Sequence, residues 1–465
     1  MSVIVDAANY FVAARSAMRK ARHRIMLIGW DFDTRIRLSD SPTEPDQPTV
    51  GDFIWSLVEA NPELDIYLLR WDLGALKLIT RGSTALTLLK WMSHPRIHTK
   101  LDGTHPTGAS HHQKICVVDD CMAFCGGIDM TGGRWDTREH KDDDPRRVGP
   151  DGTPCPPWHD ATSALQGPVA AALGDLCRDR WQRAGCDPLE PVPGVSDCWP
   201  DDLEVDFENV EVAIARSEPL MPDRAAVLEI ERLYLDQIAG ARHFIYAESQ
   251  YFASRRIAEA IARRLDEDDG PEIVVINPLT AQGWLEPIAM DTARARLFEA
   301  LRRRDRHGRL RLYHPFTTGG EPIYVHAKIL IIDDAVLRVG SSNINNRSLR
   351  LDTECDIAIH AAHGDNAARA AAIRNIKIGL IAEHVDATVD EVAATIERTG
   401  SLIATIEALR PTKNCLRPYE LPDVDAVAKW LADNEVLDPE GPDEMFESVA
   451  DRGLFRGIHL WRHAS

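Results

Sequence analysis

The sequence predicts an α/β protein built from two related halves, because three segments recur in the same order and strand-like segments alternate with helical ones. The recurring segments are residues 21–25 and 241–245, 62–69 and 271–276, and 112–119 and 326–333. Stretches with helical spacing, such as 258–265 and 293–304, lie between the strand-like runs. This alternation is typical of α/β folds, so we expect two similar α/β units joined in one chain.

The strand predicted after each copy of the third segment is a continuous apolar run, ICVV at 115–118 and ILII at 329–332. Continuous rather than alternating apolar residues indicate strands that are covered on both faces. The proline-rich stretch 186–200 is the predicted linker between the halves. We therefore place the first half at 1–200 and the second half at 201–385.

A third region, 386–465, is predicted to be a helical and acidic C-terminal extension. Residues 389–406 carry an apolar stripe at helical spacing, and residues 420–451 contain eleven acidic residues and one base, Lys429. The acidic segment is interpreted as a solvated stretch that wraps the surface, with a regulatory or partner-binding tail as the alternative.

The whole chain has 53 Lys and Arg against 73 Asp and Glu, a formal charge of −20, and an apolar content of 44%. These values favour a soluble globular protein and disfavour one that coats nucleic acid, although the acidic tail supplies much of the charge. The nine cysteines form no CxxC pair, and no apolar run is long enough to span a membrane. We expect reduced thiols and a cytoplasmic location, and peripheral contact with the inner membrane face stays open.

The third repeated segment carries the chemistry, since both copies read H-x-K-x4-D: His112, Lys114 and Asp119, then His326, Lys328 and Asp333. Residues two apart in a strand project from the same face, so each histidine is expected beside its lysine. Two such pairs suit one phosphodiester, because one imidazole can attack phosphorus while the other protonates the leaving alcohol. The two lysines would neutralise the nonbridging oxygens.

Both motifs continue in the same way, with a small pair at 126–127 or 340–341 and then Asp129 or Asn343. At this point the sequence resembles the phospholipase D superfamily, whose HKD motif is H-x-K-x4-D followed by a GG or GS element. The segment GRWDT at 133–137, PWHD at 157–160 and IYAESQYF at 245–252 are similar to further segments of phospholipases D.

The resemblance implies two α/β sandwich halves that are related by a pseudo-twofold axis and share one cleft. It also implies a two-step reaction through a phosphohistidine, without a metal or other cofactor. By analogy with the family, His112 is the nucleophile and His326 is the acid that releases the alcohol and then activates water. The near identity of the motifs leaves the opposite assignment open.

The remaining predicted site residues are carried over from the same resemblance. We expect Asp136 and Glu354 to orient the histidines, and Asp129, Asn343 and Gln250 to contact phosphate or substrate. Asp119 and Asp333 are counted with the catalytic motif, although local hydrogen bonds that fix the strand and turn are the simpler role for them.

The predicted function is hydrolysis of the distal phosphodiester of a glycerophospholipid to phosphatidic acid and an alcohol, by a monomer that contacts the membrane peripherally. Transfer of the phosphatidyl group to another alcohol, including cardiolipin synthesis, is the alternative within the same chemistry. An HKD phosphodiesterase acting on nucleic acid is a further alternative, which the motif context and the acidic charge disfavour. A noncatalytic lipid-binding scaffold is disfavoured because both motifs are intact.

Overall fold

The computed structural model describes residues 1–43, 46–72, 82–194, 197–281, 290–361, 366–410 and 414–421. Within these ranges the chain forms a mixed α/β fold with two large sheets, as the sequence predicts. In this described part, no helix is long and apolar enough to cross a membrane. Most of the acidic segment predicted at 420–451 lies outside the described residues.

The first half forms a seven-stranded sheet with the order β1-β8-β6-β5-β2-β3-β4. Its strands are β1 (Ser2–Val5), β2 (Arg24–Gly29), β3 (Asp65–Trp71), β4 (Ile97–Asp102), β5 (Ile115–Val118), β6 (Met122–Gly126) and β8 (Ala161–Gln166). The short strand β7 (Trp158–His159) stands outside this sheet. The helices of this half are α1 (Ala7–Arg19), α2 (Val50–Ala60), α3 (Gly82–Met92) and α4 (Pro168–Arg183).

The second half forms a nine-stranded sheet with the order β10-β9-β17-β16-β15-β11-β12-β13-β18. Its strands are β9 (Val212–Glu218), β10 (Val227–Leu228), β11 (Phe244–Glu248), β12 (Glu272–Ile276), β13 (Leu310–Pro315), β15 (Ile329–Ile332), β16 (Val336–Gly340), β17 (Glu354–His360) and β18 (Leu416–Pro418), with β14 (Tyr324–Val325) outside it. Its helices are α5 (Glu229–Gly240), α6 (Arg255–Leu265), α7 (Thr292–Arg304), α8 (Asn366–Val385), α9 (Val389–Thr399) and α10 (Leu402–Leu409). A one-turn π-helix spans Arg347–Leu351.

The two sheets repeat one topology. The run β1-β8-β6-β5-β2-β3-β4 of the first sheet matches β9-β17-β16-β15-β11-β12-β13 of the second, strand for strand. The directions also match, because β2 and β3 pair in parallel as β11 and β12 do, while β5 and β15 are antiparallel to β2 and β11. The internal sequence repeat is thus a structural repeat.

Each sheet is covered on both faces, which explains the continuous apolar strands. In the first half, α1, α2 and α3 pack on one face and α4 on the other. In the second half, α5, α6 and α7 cover one face, and α8, α9 and α10 cover the other. All four residues of β5 and of β15 are buried. Part of the segment predicted as an extension therefore belongs to the second core, and β18 pairs with β13.

The halves meet through short backbone pairings next to the two motifs. Strand β7 pairs in parallel with β14, so Tyr324 lies opposite Trp158. Next to the first motif, an isolated parallel bridge joins His111 of the first half to Thr353 of the second half. Each H-x-K segment thus follows a residue whose backbone pairs with the opposite half, which brings both motifs to the same interface.

Candidate active site

The first histidine, His112, lies just before β5 rather than within it, and a carboxylate from the other half holds its ring. Its backbone N–H donates to the carbonyl of Thr353 at 2.9 Å. Its Nδ1 lies 2.9 Å from Oε1 of Glu354, the first residue of β17. A hydrogen bond at Nδ1 fixes the tautomer and leaves Nε2 for chemistry. The predicted orienting role of Glu354 thus has matching geometry.

The second histidine, His326, has the mirror arrangement. Its backbone N–H donates to the carbonyl of His159 at 2.7 Å. Its Nδ1 lies 2.7 Å from Oδ2 of Asp160, which immediately precedes β8 of the first half. Asp160 accepts a second hydrogen bond, from the N–H of Ala161 at 2.8 Å, so its carboxylate is fixed from both sides. Each half therefore supplies the acid behind the histidine of the other half.

Asp136 does not occupy the place that the resemblance gave it. Its carboxylate accepts from the N–H of Trp158 at 2.9 Å, pairs with Nδ1 of His140 at 3.0 Å, and faces Arg147 at 3.2 Å. Neither His112 nor His326 is among these partners. The prediction of Asp136 as an orienting acid is corrected to Asp160. Asp160 directly follows the short strand β7, which pairs with the strand before His326, and its carboxylate therefore contacts that histidine.

The lysines of the motifs lie beside their histidines, as the spacing predicts. The Nζ of Lys114 donates to the carbonyl of His112 at 2.7 Å and lies 3.4 Å from Oδ2 of Asp129. Lys328 donates in the same way to the carbonyl of His326. Both ammonium groups are therefore positioned by the backbone of the residue that they assist.

The motif aspartates have a structural role. Asp119 accepts from the N–H groups of residues 22, 23 and 24 at 2.7–2.8 Å, at the entrance to β2. Asp333 accepts from those of residues 242, 243 and 244 at 2.6–2.8 Å, at the entrance to β11. Counting these two residues with the catalytic groups is corrected by this geometry, since their oxygens are used to anchor neighbouring strands.

The three residues predicted to contact phosphate or substrate lie at the same end of the sheets. Asp129 accepts from the N–H of Trp30 at 3.2 Å in addition to facing Lys114. In the other half, Asn343 donates to Oε1 of Gln250 at 3.2 Å, and its own Oδ1 is buried without a hydrogen-bond partner among the described residues. An unsatisfied buried acceptor is costly, so Asn343 is a candidate for contact with a donor on the substrate.

The electrostatics of the two motifs show that they form one site. Burial lowers the pKa of His112 well below its usual value, and the charges of Lys114 and Lys328 lower it further. The pKa of His326 is lowered for the same reasons, with burial first and then Lys328. Because each histidine is affected by the lysine of the opposite half, the four groups act on a common space. Burial and the neighbouring positive charges thus favour the neutral form of both imidazoles.

Burial also changes the ionisation of the supporting groups. It raises the pKa of Glu354 to about 8, with Lys114 opposing the shift. It raises the pKa of Asp160, which the charges of Lys328 and Arg134 oppose. The pKa of Lys328 falls to about 7, again through burial. An anion entering the site would favour the protonated forms of Lys328 and His326.

Two family models match this chain. A family model described as Phospholipase D matches residues 17–259, and one described as Cardiolipin synthase, PLD-like domain matches residues 234–382. The chain belongs to the phospholipase D superfamily.

Among the relatives of this superfamily, phospholipase D alpha 1 of Carica papaya is 26% identical over 480 residues, with 74% of this chain and 59% of the papaya protein covered. Phospholipase D A of Dictyostelium discoideum is 25% identical over 438 residues, covering 77% and 32% of the two chains. The chain thus spans less than two thirds of these relatives. The structure of phosphatidylserine synthase from Haemophilus influenzae shares the fold, with a TM-score of 0.57, 14% identity, and coverage of 89% of this chain and 95% of that one.

Aromatic side chains from both halves lie beside His326, and a cation contacts one of them. The rings of Trp158 and Tyr324 stack at 4.6 Å between centroids, and Trp158 lies 5.2 Å from the ring of His326. The guanidinium of Arg134 lies 4.0 Å from the centroid of Trp158. Arg134 also contributes to the lowered pKa of His326, after burial and Lys328, so a further positive charge lies near this histidine. Sequence reasoning assigned no role to Arg134.

A buried cluster behind the site was not predicted. Asp6, His140, His159 and Glu383 each place one ligand atom within 4.8 Å of the others, and Glu248 and His384 extend the cluster through His159. Two imidazoles and two carboxylates are donors that a divalent cation accepts. The same groups also pair with one another, since Glu383 lies 2.7 Å from His159 and 3.1 Å from His140. Their scattered sequence positions gave no metal-like spacing.

Proposed function

We propose that the protein is a phospholipase D that hydrolyses the distal phosphodiester of glycerophospholipids to phosphatidic acid and a free alcohol. The observation that carries the proposal is the pair of H-x-K histidines, each backed by a carboxylate of the opposite half at 2.7–2.9 Å. Membership of the superfamily and the relatives named above support the same chemistry.

In the first step, Nε2 of His112 attacks phosphorus while Glu354 holds Nδ1. The P–O bond to the head group breaks, and its oxygen takes a proton from His326. The product is a phosphohistidine on His112 and a free alcohol. Lys114 and Lys328 offset the charge on the nonbridging oxygens.

In the second step, His326 removes a proton from water, and the resulting oxygen attacks phosphorus. The P–N bond breaks, which returns His112 to its neutral form and releases phosphatidic acid. Asp160 supports His326 in both steps, because its carboxylate stabilises the protonated imidazole. No step draws on a metal ion or a redox cofactor.

Transfer of the phosphatidyl group to an alcohol is the second candidate. It needs only that an alcohol replace water in the second step. The match of residues 234–382 to the model described as Cardiolipin synthase, PLD-like domain favours it.

We further propose a cytoplasmic enzyme at a membrane surface, which the nine free cysteines support.

The test is to incubate the protein with phosphatidylcholine, phosphatidylglycerol and single-stranded DNA, with and without ethanol, beside His112→Ala. We expect phosphatidic acid without ethanol and phosphatidylethanol with it, and neither product from His112→Ala. Cleavage of the DNA alone would overturn the proposal. Cardiolipin from phosphatidylglycerol, with little phosphatidic acid, would favour the transferase.

A further inference from the structure

The helix α3 and the strand that follows it expose an unusual amount of apolar surface. Leu86, Leu89 and Met92 of α3 are 69%, 63% and 67% exposed, and Leu101 of β4 is 47% exposed. They are four of the eight large hydrophobic residues exposed in the described part of the chain. Clustered exposed apolar residues mark interaction sites, whereas scattered ones do not. We call these four residues the α3 surface.

The helix α3 packs against the first half through the face opposite to the α3 surface. Trp91 is 1% exposed, and its Nε1 donates to the carbonyl of Gly51 in α2 at 3.2 Å. Leu88 also packs against the core of the first half. Positions 86, 89 and 92 repeat every three residues, which puts them on one side of the helix. The helix is therefore anchored by one face and presents a second apolar face to solvent.

The charge around the α3 surface differs from that of the chain. Residues 86–101 contain three bases, Lys90, Arg96 and Lys100, and no acid, although the whole chain carries −20. Lys90 is exposed and lies 4.2 Å above the ring of Trp55. The guanidinium of Arg96 donates to the backbone carbonyls of residues 58, 61 and 64, and two neighbouring acids, Glu59 and Asp65, lie 3.5 Å from His94 and 3.2 Å from His98. The stretch thus combines apolar side chains with a positive balance.

Aromatic contacts occur both under the packed face of α3 and beside His112. Trp91 of α3 lies 6.0 Å, between ring centroids, from Phe32, which follows β2. Two residues earlier, Trp30 lies 5.9 Å from Trp71 and 6.4 Å from the ring of His112. Phe32 and Trp30 belong to the same segment after β2, so one segment contacts both the buried face of α3 and the ring of His112.

We propose that the α3 surface docks on an anionic phospholipid bilayer, with Leu86, Leu89 and Met92 inserted at the boundary of head groups and acyl chains. This inference rests on the proposed function, which requires a lipid to reach His112. The partner is a bilayer because the surface joins aliphatic side chains to bases, which suit acyl chains and anionic head groups respectively. The product, phosphatidic acid, would itself strengthen the attraction.

The test compares L86S/L89S/M92S with a matched control, V205S/L220S/V389S, whose positions are 47%, 58% and 52% exposed elsewhere. Binding is measured by sedimentation with vesicles of phosphatidylcholine and phosphatidic acid, with His112→Ala added to each protein to prevent hydrolysis. Turnover is measured, without that change, on the same vesicles and on a short-chain phosphatidylcholine below its critical micelle concentration.

We expect the α3 variant to lose vesicle binding and vesicle turnover by tenfold or more, while its turnover of the monomeric lipid and the behaviour of the control stay unchanged. Unchanged vesicle binding by the α3 variant would overturn the inference. So would a change from dimer to monomer on size exclusion without loss of vesicle binding, which would assign the surface to a second copy of the chain. If the unmodified protein binds vesicles through α3 but cleaves neither lipid, the surface stands and the proposed function fails.

Discussion

Replacing Asp160 by Asn tests whether the carboxylate of one half supports the histidine of the other. Asn keeps the size of the side chain and an acceptor for the N–H of Ala161, now 2.8 Å away. It loses the charge that faces Nδ1 of His326 at 2.7 Å. A hydrogen bond to a charged group contributes about 1.5–3 kcal/mol, so kcat/KM should fall about 10- to 150-fold on a lipid with an alkyl head group.

The leaving group separates this effect from general damage. A nitrophenyl ester of phosphatidic acid releases a stable phenolate and needs little help from a general acid. Since kcat/KM covers only the steps up to formation of the phosphohistidine, Asp160→Asn should lose far less on the nitrophenyl ester than on phosphatidylcholine. Glu354→Gln, which supports the nucleophile, should lose activity on both.

The assay is the initial rate of head-group or nitrophenol release at subsaturating substrate, with thermal unfolding recorded for each variant. Unfolding temperatures of Asp160→Asn should stay close to the original, because its other hydrogen bond is retained. Wild-type kcat/KM on phosphatidylcholine would refute the exchanged-acid reasoning. Equal losses on the two substrates for Asp160→Asn, with a leaving-group dependence for Glu354→Gln, would show that His326 is the nucleophile.

Three further outcomes are expected. Because burial lowers the pKa of Lys328 to about 7, this residue loses its charge as pH rises through that value. The measured kcat/KM should therefore decline above pH 7. Lys328→Arg should move this decline to higher pH, because a guanidinium stays charged there. Burial alone would lower the pKa of His140, but Asp6 and other carboxylates outweigh it and raise that pKa to about 10. The stabilising contribution of protonated His140 is therefore complete below about pH 6.5 and lost toward pH 10. The free energy of unfolding, measured in urea at several pH values, should show this loss, and its absence would contradict the raised pKa of His140. Glu383→Gln should reduce the free energy of unfolding by about 3–5 kcal/mol, because it removes the closer of the two buried carboxylates, Glu383 and Asp6, that face both His140 and His159. Glu59→Gln on the surface should change this free energy little.

The repeat made the fold predictable from sequence. Matching segments in matching order indicated two similar halves, and continuous apolar runs such as 329–332 indicated strands covered on both faces. The histidines and lysines were found by the same repeat. Its limit is that a repeat shows which residues correspond, but not which half faces which. The exchange of acids depends on that packing.

Asp160 shows this limit directly. It was visible in the sequence as the last residue of PWHD at 157–160, yet Asp136 was chosen by its place after the motif. Only the pairing of β7 with β14 puts Asp160 behind His326. The cluster around His159 was missed for a similar reason, since its members come from distant elements of both halves.

The crossed hydrogen bonds also determine how the protein would behave if its chain were cut between the halves. A fragment ending near residue 200 would carry His112 without Glu354, and the other fragment would carry His326 without Asp160. Neither fragment could work alone, and at low concentration the recovered rate would rise with the product of the two fragment concentrations. In the intact chain the linker keeps the two halves together, so that each half meets the other at a fixed effective concentration. Assembly of the site then no longer depends on a collision between two separate molecules.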